Sequence, residues 1–216
     1  MPSILVCFAL KEEAAPFHKM AAGRPGVFTL IVGMGRQNAE KSVRNFFASG
    51  SPELVLTCGF AGGLNPDLKT GDVVFELAGP AADNQELTAS LSAAGARPAK
   101  FFCADLIATT AAEKNVLRAK TGADAVEMES GAIHAVCAER GIPCATVRVI
   151  SDAANEDLPL DFNALSKADQ SLDFGKLFLA IAKSPGKIGA LMALQKKTRF
   201  AAGEMAGVLG RIISSG

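Results

Sequence analysis

Through the first 155 residues the apolar positions fall into short runs rich in β-branched side chains, separated by longer stretches with helical spacing. The runs predict strands at 4–10, 28–32, 54–58, 72–77, 100–102, 125–127 and 145–150. Helical spacing predicts helices near 38–49, 110–120 and 131–140, the last closed by Gly141-Ile142-Pro143. This alternation implies an α/β layered domain with a largely parallel sheet. Residues 78–99, rich in Ala, Gly, Ser and Pro, read as a surface excursion containing a weak helix. Beyond them the pattern changes: 174–182 and 188–213 read as two amphipathic helices broken at Ser184-Pro185-Gly186. The chain therefore divides into a domain over 1–173 and a helical tail over 174–216.

Composition narrows the picture. The 216 residues are 49% hydrophobic, enough for a real core, which excludes a disordered or fibrous chain. Lys and Arg number 22 against 22 Asp and Glu, so a nucleic-acid partner has no electrostatic footing, and Trp and Tyr are absent. Charge is nonetheless uneven. The tail carries seven bases against Glu204 alone, a net +6, and residues 1–173 carry the opposite charge. Two readings of the tail follow: a helix packed on the domain with solvated bases, or a segment drawn to an anionic membrane surface. The five cysteines are widely spaced and form no CxxC, which points to buried free thiols in a reducing, cytoplasmic setting. The apolar N-terminus has no basic segment before it and Lys11-Glu12-Glu13 after it, so it reads as a strand rather than a signal peptide. No apolar run is long enough to predict a membrane-spanning helix.

Candidate chemistry gathers where the predicted strands end. Gly33-Met34-Gly35 and Gly59-Phe60-Ala61-Gly62-Gly63 are expected as turns at the carboxyl edge of the sheet, where ligands of open α/β folds bind. Neither cluster completes a dinucleotide fingerprint or a P-loop. Acids stand at three such ends: Glu12 and Glu13, Glu127 and Glu129 around Met128, and Asp152 after Ser151. Glu12 and Glu13 suit a solvated first helical turn equally well, and Asp152 an N-cap. Two acids beside Val126 and Met128 need partners if buried. His18 and His134 lack any matching ligand spacing and read as structural.

In chain order, Ala9-Leu10-Lys11-Glu12-Glu13, Gly33-Met34-Gly35, Ala61-Gly62-Gly63-Leu64 with Gly71-Asp72-Val73-Val74, Val126-Glu127-Met128-Glu129 and Arg148-Val149-Ile150-Ser151-Asp152 form a recognisable series. Over about residues 3–157 it resembles the purine nucleoside phosphorylase and methylthioadenosine/S-adenosylhomocysteine nucleosidase superfamily. The resemblance implies a three-layer α/β/α sandwich around a mixed, partly barrel-like sheet. It also implies a homo-oligomer that needs no metal or organic cofactor and acts on a small-molecule nucleoside with water or phosphate. By the same resemblance Asp152 protonates purine N7, Glu13 activates water, Glu129 holds the ribose hydroxyls and Met128 packs against the sugar. Glu127, Ser151 and Gly62 complete the substrate pocket. Such chemistry is physically coherent, because carboxylates stabilise an oxocarbenium-like state and a shielded Asp can protonate the leaving base.

Departures from the family pattern matter as much. Phe60 stands where nucleosidases usually carry Ser, and Ile107 where many relatives stack an aromatic ring on the purine. The phosphate loop of the hexameric phosphorylases is missing, leaving Arg36 with Gly33 and Gly35 as the phosphate or water site. A short stretch between residues 75 and 102 leaves the 5′ side of the sugar open. Leu158-Pro159 and the Pro-broken basic tail are similar to the hopanoid-associated phosphorylase branch. That likeness implies an adenine nucleoside with a 5′ lipid extension, such as adenosylhopane, met by peripheral contact at the inner membrane surface. The alternative is a catalytically inactive module of the same fold that binds a purine nucleoside or lipid.

Overall fold

The computed structural model describes residues 3–81, 84–165, 167 and 185–215. Strands β1 (Ile4–Phe8), β2 (Val27–Ile31), β3 (Leu54–Gly63), β4 (Val73–Ala78), β5 (Arg97–Pro98), β6 (Phe101–Cys103), β7 (Ala125–Glu127) and β8 (Cys144–Asp152) form one sheet. Its main order is β2-β1-β3-β8-β4-β5, with β7 paired to the end of β3 and to β6. The β1–β2, β1–β3, β3–β8, β4–β5 and β6–β7 pairs are parallel, whereas β3–β7 and β4–β8 are antiparallel. The sheet is mixed, as the resemblance implied. It does not close: β2 and the two-residue β5 end its main order unpaired on one side, so the expected curl stops short of a barrel.

Strand alternation sends each β1 residue to one face or the other. Val6 and Phe8, with Leu56, Cys58, Val147 and Val149, pack under α1 (Lys11–Ala21), α3 (Gln85–Ala93) and α6 (Ile188–Ser215). Leu5 and Cys7, with Val55 and Cys144, pack under α2 (Arg36–Phe47) and α5 (Ser130–Ala138). The result is the three-layer α/β/α sandwich. Helix α4 (Ala111–Thr121) runs between β6 and β7, started by a reciprocal cap in which Thr110 Oγ1 accepts from Glu113 N and the Glu113 carboxylate accepts from Thr110 N.

Two expectations need correction. Strand β3 does not stop at 58; the glycine run is strand, paired with β8 on one side and at Gly62 and Gly63 with β7. Helix α1 forms although Pro16 sits inside it, and Leu10 ends the approach to it instead of extending β1.

The last helix joins the core. Ala201, Met205, Ala206, Val208, Leu209 and Ile213 of α6 are buried with Phe17 and Ala21 of α1. Residues 201–213 thus follow the packed reading of the tail, while Ile188 and Met192 are exposed. The helix expected at 174–182, and the boundary at 173, fall outside the described residues. Cys7, Cys58, Cys137 and Cys144 are buried free thiols, and Cys103 is partly exposed. Among the described residues no helix is long and apolar enough to cross a membrane.

Candidate active site

A cavity of about 200 Å³ opens at the carboxyl ends of β3, β7 and β8 and the start of α1. Glu13, Phe60, Gly62, Ile107, Glu127, Met128, Glu129, Ser151 and Asp152 all line it, although they lie up to 139 positions apart in sequence. Their grouping follows from the topology: β3 and β8 are parallel neighbours, β7 crosses the end of β3, and α1 starts directly after β1.

Glu13 is buried in the first turn of α1. One carboxylate oxygen accepts from Leu10 N at 2.9 Å, the other from Phe60 N at 2.8 Å. Burial pushes the carboxyl up from 4.5 to about 7, against the backbone N–H of Phe60 and the charge of Arg148, which pull it down. Glycine at 59 is a requirement of close approach. A Cβ there would stand 2.6 Å from an Arg148 nitrogen and 2.9 Å from Glu13 Oε1. The neighbouring Glu12 faces solvent.

Arg148, wholly buried on β8, gathers the acids at the junction of β7 and α5. Its Nη2 lies 2.6 Å from Glu127 and 3.2 Å from Glu129, and also donates to Thr57 Oγ1 at 3.2 Å. Glu127 further accepts from Ser130 N, Ser130 Oγ and Glu129 N. Despite the cost of burial, Arg148 and these donors hold Glu127 below its ordinary value. Glu129 is raised instead, since burial outweighs Arg148. Its Oε1 accepts from Gly35 N at 2.9 Å, where a φ of 80° lets the glycine turn start α2.

Asp152 ends β8 with both oxygens engaged. Ser151 Oγ donates to Oδ1 at 2.6 Å, and Lys114 Nζ forms an ion pair with Oδ2. Lys114, on α4, is completely buried and reads in the sequence as an ordinary solvated helix lysine; its position in the inward stripe with Ala111, Leu117 and Thr121 is the signal that places it. The loop after β6 is pinned by Asn163, which accepts from Ile107 N and donates to Ile107 O. Leu106, Leu158, Phe162 and, from α6, Leu194 and Thr198 complete the wall.

Gly33, Gly35 and Arg36 do not line the cavity. Arg36 lies at the surface, paired with Asp105 at 3.1 Å and donating to Cys103 O at 2.9 Å. The cavity lining thus holds four carboxylates and, among the described residues, no Lys or Arg. His134 bonds Thr146 at 2.8 Å away from the cavity, and His18 is exposed. Among the described residues no group of three or more His, Cys, Asp or Glu is arranged to hold a metal ion.

The sequence profile of the phosphorylase superfamily matches residues 10–75 and 97–183. The chain belongs to that superfamily. Within the phosphorylase superfamily it is similar to 5'-methylthioadenosine/S-adenosylhomocysteine nucleosidase of Actinobacillus succinogenes, 31% identical over 166 residues, covering 63% of this chain and 72% of that protein. Its fold matches the same nucleosidase from Neisseria meningitidis in complex with methylthio-immucillin-A, with a TM-score of 0.72 at 19% identity over all of both chains. Futalosine hydrolase of Helicobacter pylori superposes with a TM-score of 0.71 at 17% identity, covering 98% of this chain and 97% of that one.

Proposed function

We propose that this member of the superfamily hydrolyses the N-glycosidic bond of a purine nucleoside, with adenine as the leaving base. The observation that carries this reading is the cavity lining: four carboxylates and no exposed cation. Such a wall favours a sugar developing positive charge and disfavours a phosphate dianion as the attacking group. Water is the better match.

In this scheme the C1′–N9 bond breaks and its electron pair goes to the base. Asp152 delivers a proton to N7, so the base leaves neutral. Water adds to C1′ and gives its proton to Glu13, whose value of about 7 suits a base at neutral pH. Glu129 accepts from the ribose hydroxyls, and Met128 packs against the ring. Glu127, fully occupied by Arg148 and Ser130, holds this cluster in place. Phe60 contributes its backbone N–H to Glu13, and Gly62 leaves room beside Asp152.

The finer substrate is a nucleoside with an apolar 5′ extension, adenosylhopane being one of that class. Leu106, Ile107, Leu158, Phe162 and Leu194 support it, because they give the cavity an apolar, partly exposed wall. The same reading places the exposed Ile188 and Met192, with Lys187, Lys196 and Arg199, against an anionic membrane surface. Exposed Leu106 and Val116 support a homodimer formed beside the cavity mouth.

The test is base release from unsubstituted, thioether-bearing and lipid-extended adenine nucleosides, with and without phosphate. Free sugar in both conditions is expected. Ribose 1-phosphate would make the chain a phosphorylase, and no release from any substrate would make it a binding module. Flotation of the intact protein with anionic vesicles should be lost at high salt, and sedimentation should give a dimer. Absence of either removes that part of the reading.

A further inference from the structure

Lys114 is wholly buried, with two N–H donors hydrogen-bonded to carbonyl oxygens and its charge paired with a carboxylate. The carboxylate is that of Asp152, paired through Oδ2, and the two hydrogen bonds go to the carbonyl oxygens of Ala153 and Glu156, each at 2.8 Å. All three acceptors belong to the end of β8 or the turn that follows it. Burying a lysine is costly unless it is paired and hydrogen-bonded. Here the whole of that interaction is aimed at the segment carrying one carboxyl group.

We propose that Lys114 is the positioning residue of the reaction. It fixes Asp152 Oδ2 while Ser151 fixes Oδ1, and its charge stabilises the carboxylate left when the proton moves to N7. The inference rests on the reading of Asp152 as the proton donor. Before transfer the proton is on the Asp152 carboxyl; afterwards it is on N7, and the negative charge faces Lys114 Nζ. No further reactant is needed. The stabilisation arises as charge develops, so it acts on kcat rather than on binding.

The electrostatic surroundings favour a specific effect. From α6, Lys197 is paired with Glu156 at 2.6 Å. Glu13, Glu127 and Glu129, from α1 and the β7–α5 junction, face Arg148. Lys114, from α4, is therefore the cation in contact with Asp152 among the described residues.

Lys114→Met removes the charge with a side chain only one atom shorter. We expect kcat to fall about 10- to 100-fold with KM within about threefold, as for loss of an interaction made in the transition state. In the Asp152→Asn background Lys114→Met should cost nothing further, because it acts through Asp152. Lys114→Gln, which retains a donor for a carbonyl, should show the same loss in kcat with KM little changed and guards against poor folding of the Met variant. A loss in KM rather than in kcat, or an equal loss in both backgrounds, would reduce Lys114 to a structural strut. If Asp152→Asn itself leaves kcat unchanged, the proton-donor reading fails first; if only the Lys114 variants are silent, this inference alone fails.

Discussion

Two buried charge centres line one cavity, and they are built on opposite ratios. Around Arg148 one guanidinium serves Glu127 and Glu129 by contact and Glu13 through space. Around Lys114 one cation serves Asp152 alone. The first centre has more acid than base, so burial drives Glu13 up to about 7 and raises Glu129, while Glu127, with most of the donors, is lowered. That centre suits proton uptake and the company of a cationic sugar. The second is balanced, one cation to one carboxylate. It suits holding one carboxyl group at a fixed place. Four carboxylates in one cavity thus receive different work from their partners rather than from residue type.

The sharpest test of this division is Asp152→Asn. We expect turnover to fall by about 10³-fold or more, with substrate affinity within several-fold, because an amide can bond N7 but is a poor proton donor. Single-turnover base release and calorimetric binding separate the two quantities. Equal losses in both would place Asp152 in binding alone.

The Arg148 centre should break differently. Arg148→Met leaves Glu127 and Glu129 buried without their counter-charge, a loss of about 3–5 kcal/mol in stability. Thermal melts should show a larger drop at pH 8 than at pH 5, where the acids can take up protons. A pH-independent drop would mean that packing, not charge, is what Arg148 supplies.

Glu13 sharpens the comparison through pH alone. Its folded value, about 7, lies above its ordinary 4.5, so the native state binds this proton more tightly than the unfolded chain. The stabilising contribution is present below about 4.5 and is lost as pH rises through about 7, on the order of 3 kcal/mol in total. In the proposed hydrolysis the carboxylate is nevertheless the form that accepts a proton from water. We therefore expect an acid limb in kcat/KM near pH 7, over the range in which this contribution to stability is lost. A limb near pH 4 would remove Glu13 from the role of base.

How much of this was legible in the sequence differs between the two centres. The acids Glu13, Glu127, Glu129 and Asp152 stand at strand ends and inside family motifs, where burying charge is conspicuous. Arg148 was visible in the same series, yet its place among three acids depends on β8 lying beside β3 and near β7, which local spacing does not encode. Lys114 was hidden because α4 has polar residues on most of its surface and exposes Val116, which blurs its inward stripe. The glycine run was misread as a turn for a related reason. Glycine signals both tight turning and close approach, and at Gly59 close approach to Arg148 and Glu13 decides. Helix α6 was seen as amphipathic, but its division into a core half and a half that reaches the cavity needed the fold.

The smallest effect is expected where α6 meets the cavity. Leu194 is half-buried and lines the wall, far in sequence from both charge centres. Truncating it to Ala removes apolar contact worth roughly 1 kcal/mol, from the area lost by a partly buried Leu. That contact is the same in substrate and transition state, so it should raise KM about fivefold and leave kcat alone. The change should appear with thioether- or lipid-extended nucleosides and vanish with unsubstituted adenosine. If KM rises equally for all three, Leu194 supports the cavity rather than the 5′ substituent. If kcat falls instead, α6 helps order the Asp152 segment through the Lys197–Glu156 ion pair, and the two charge centres are not independent of the tail.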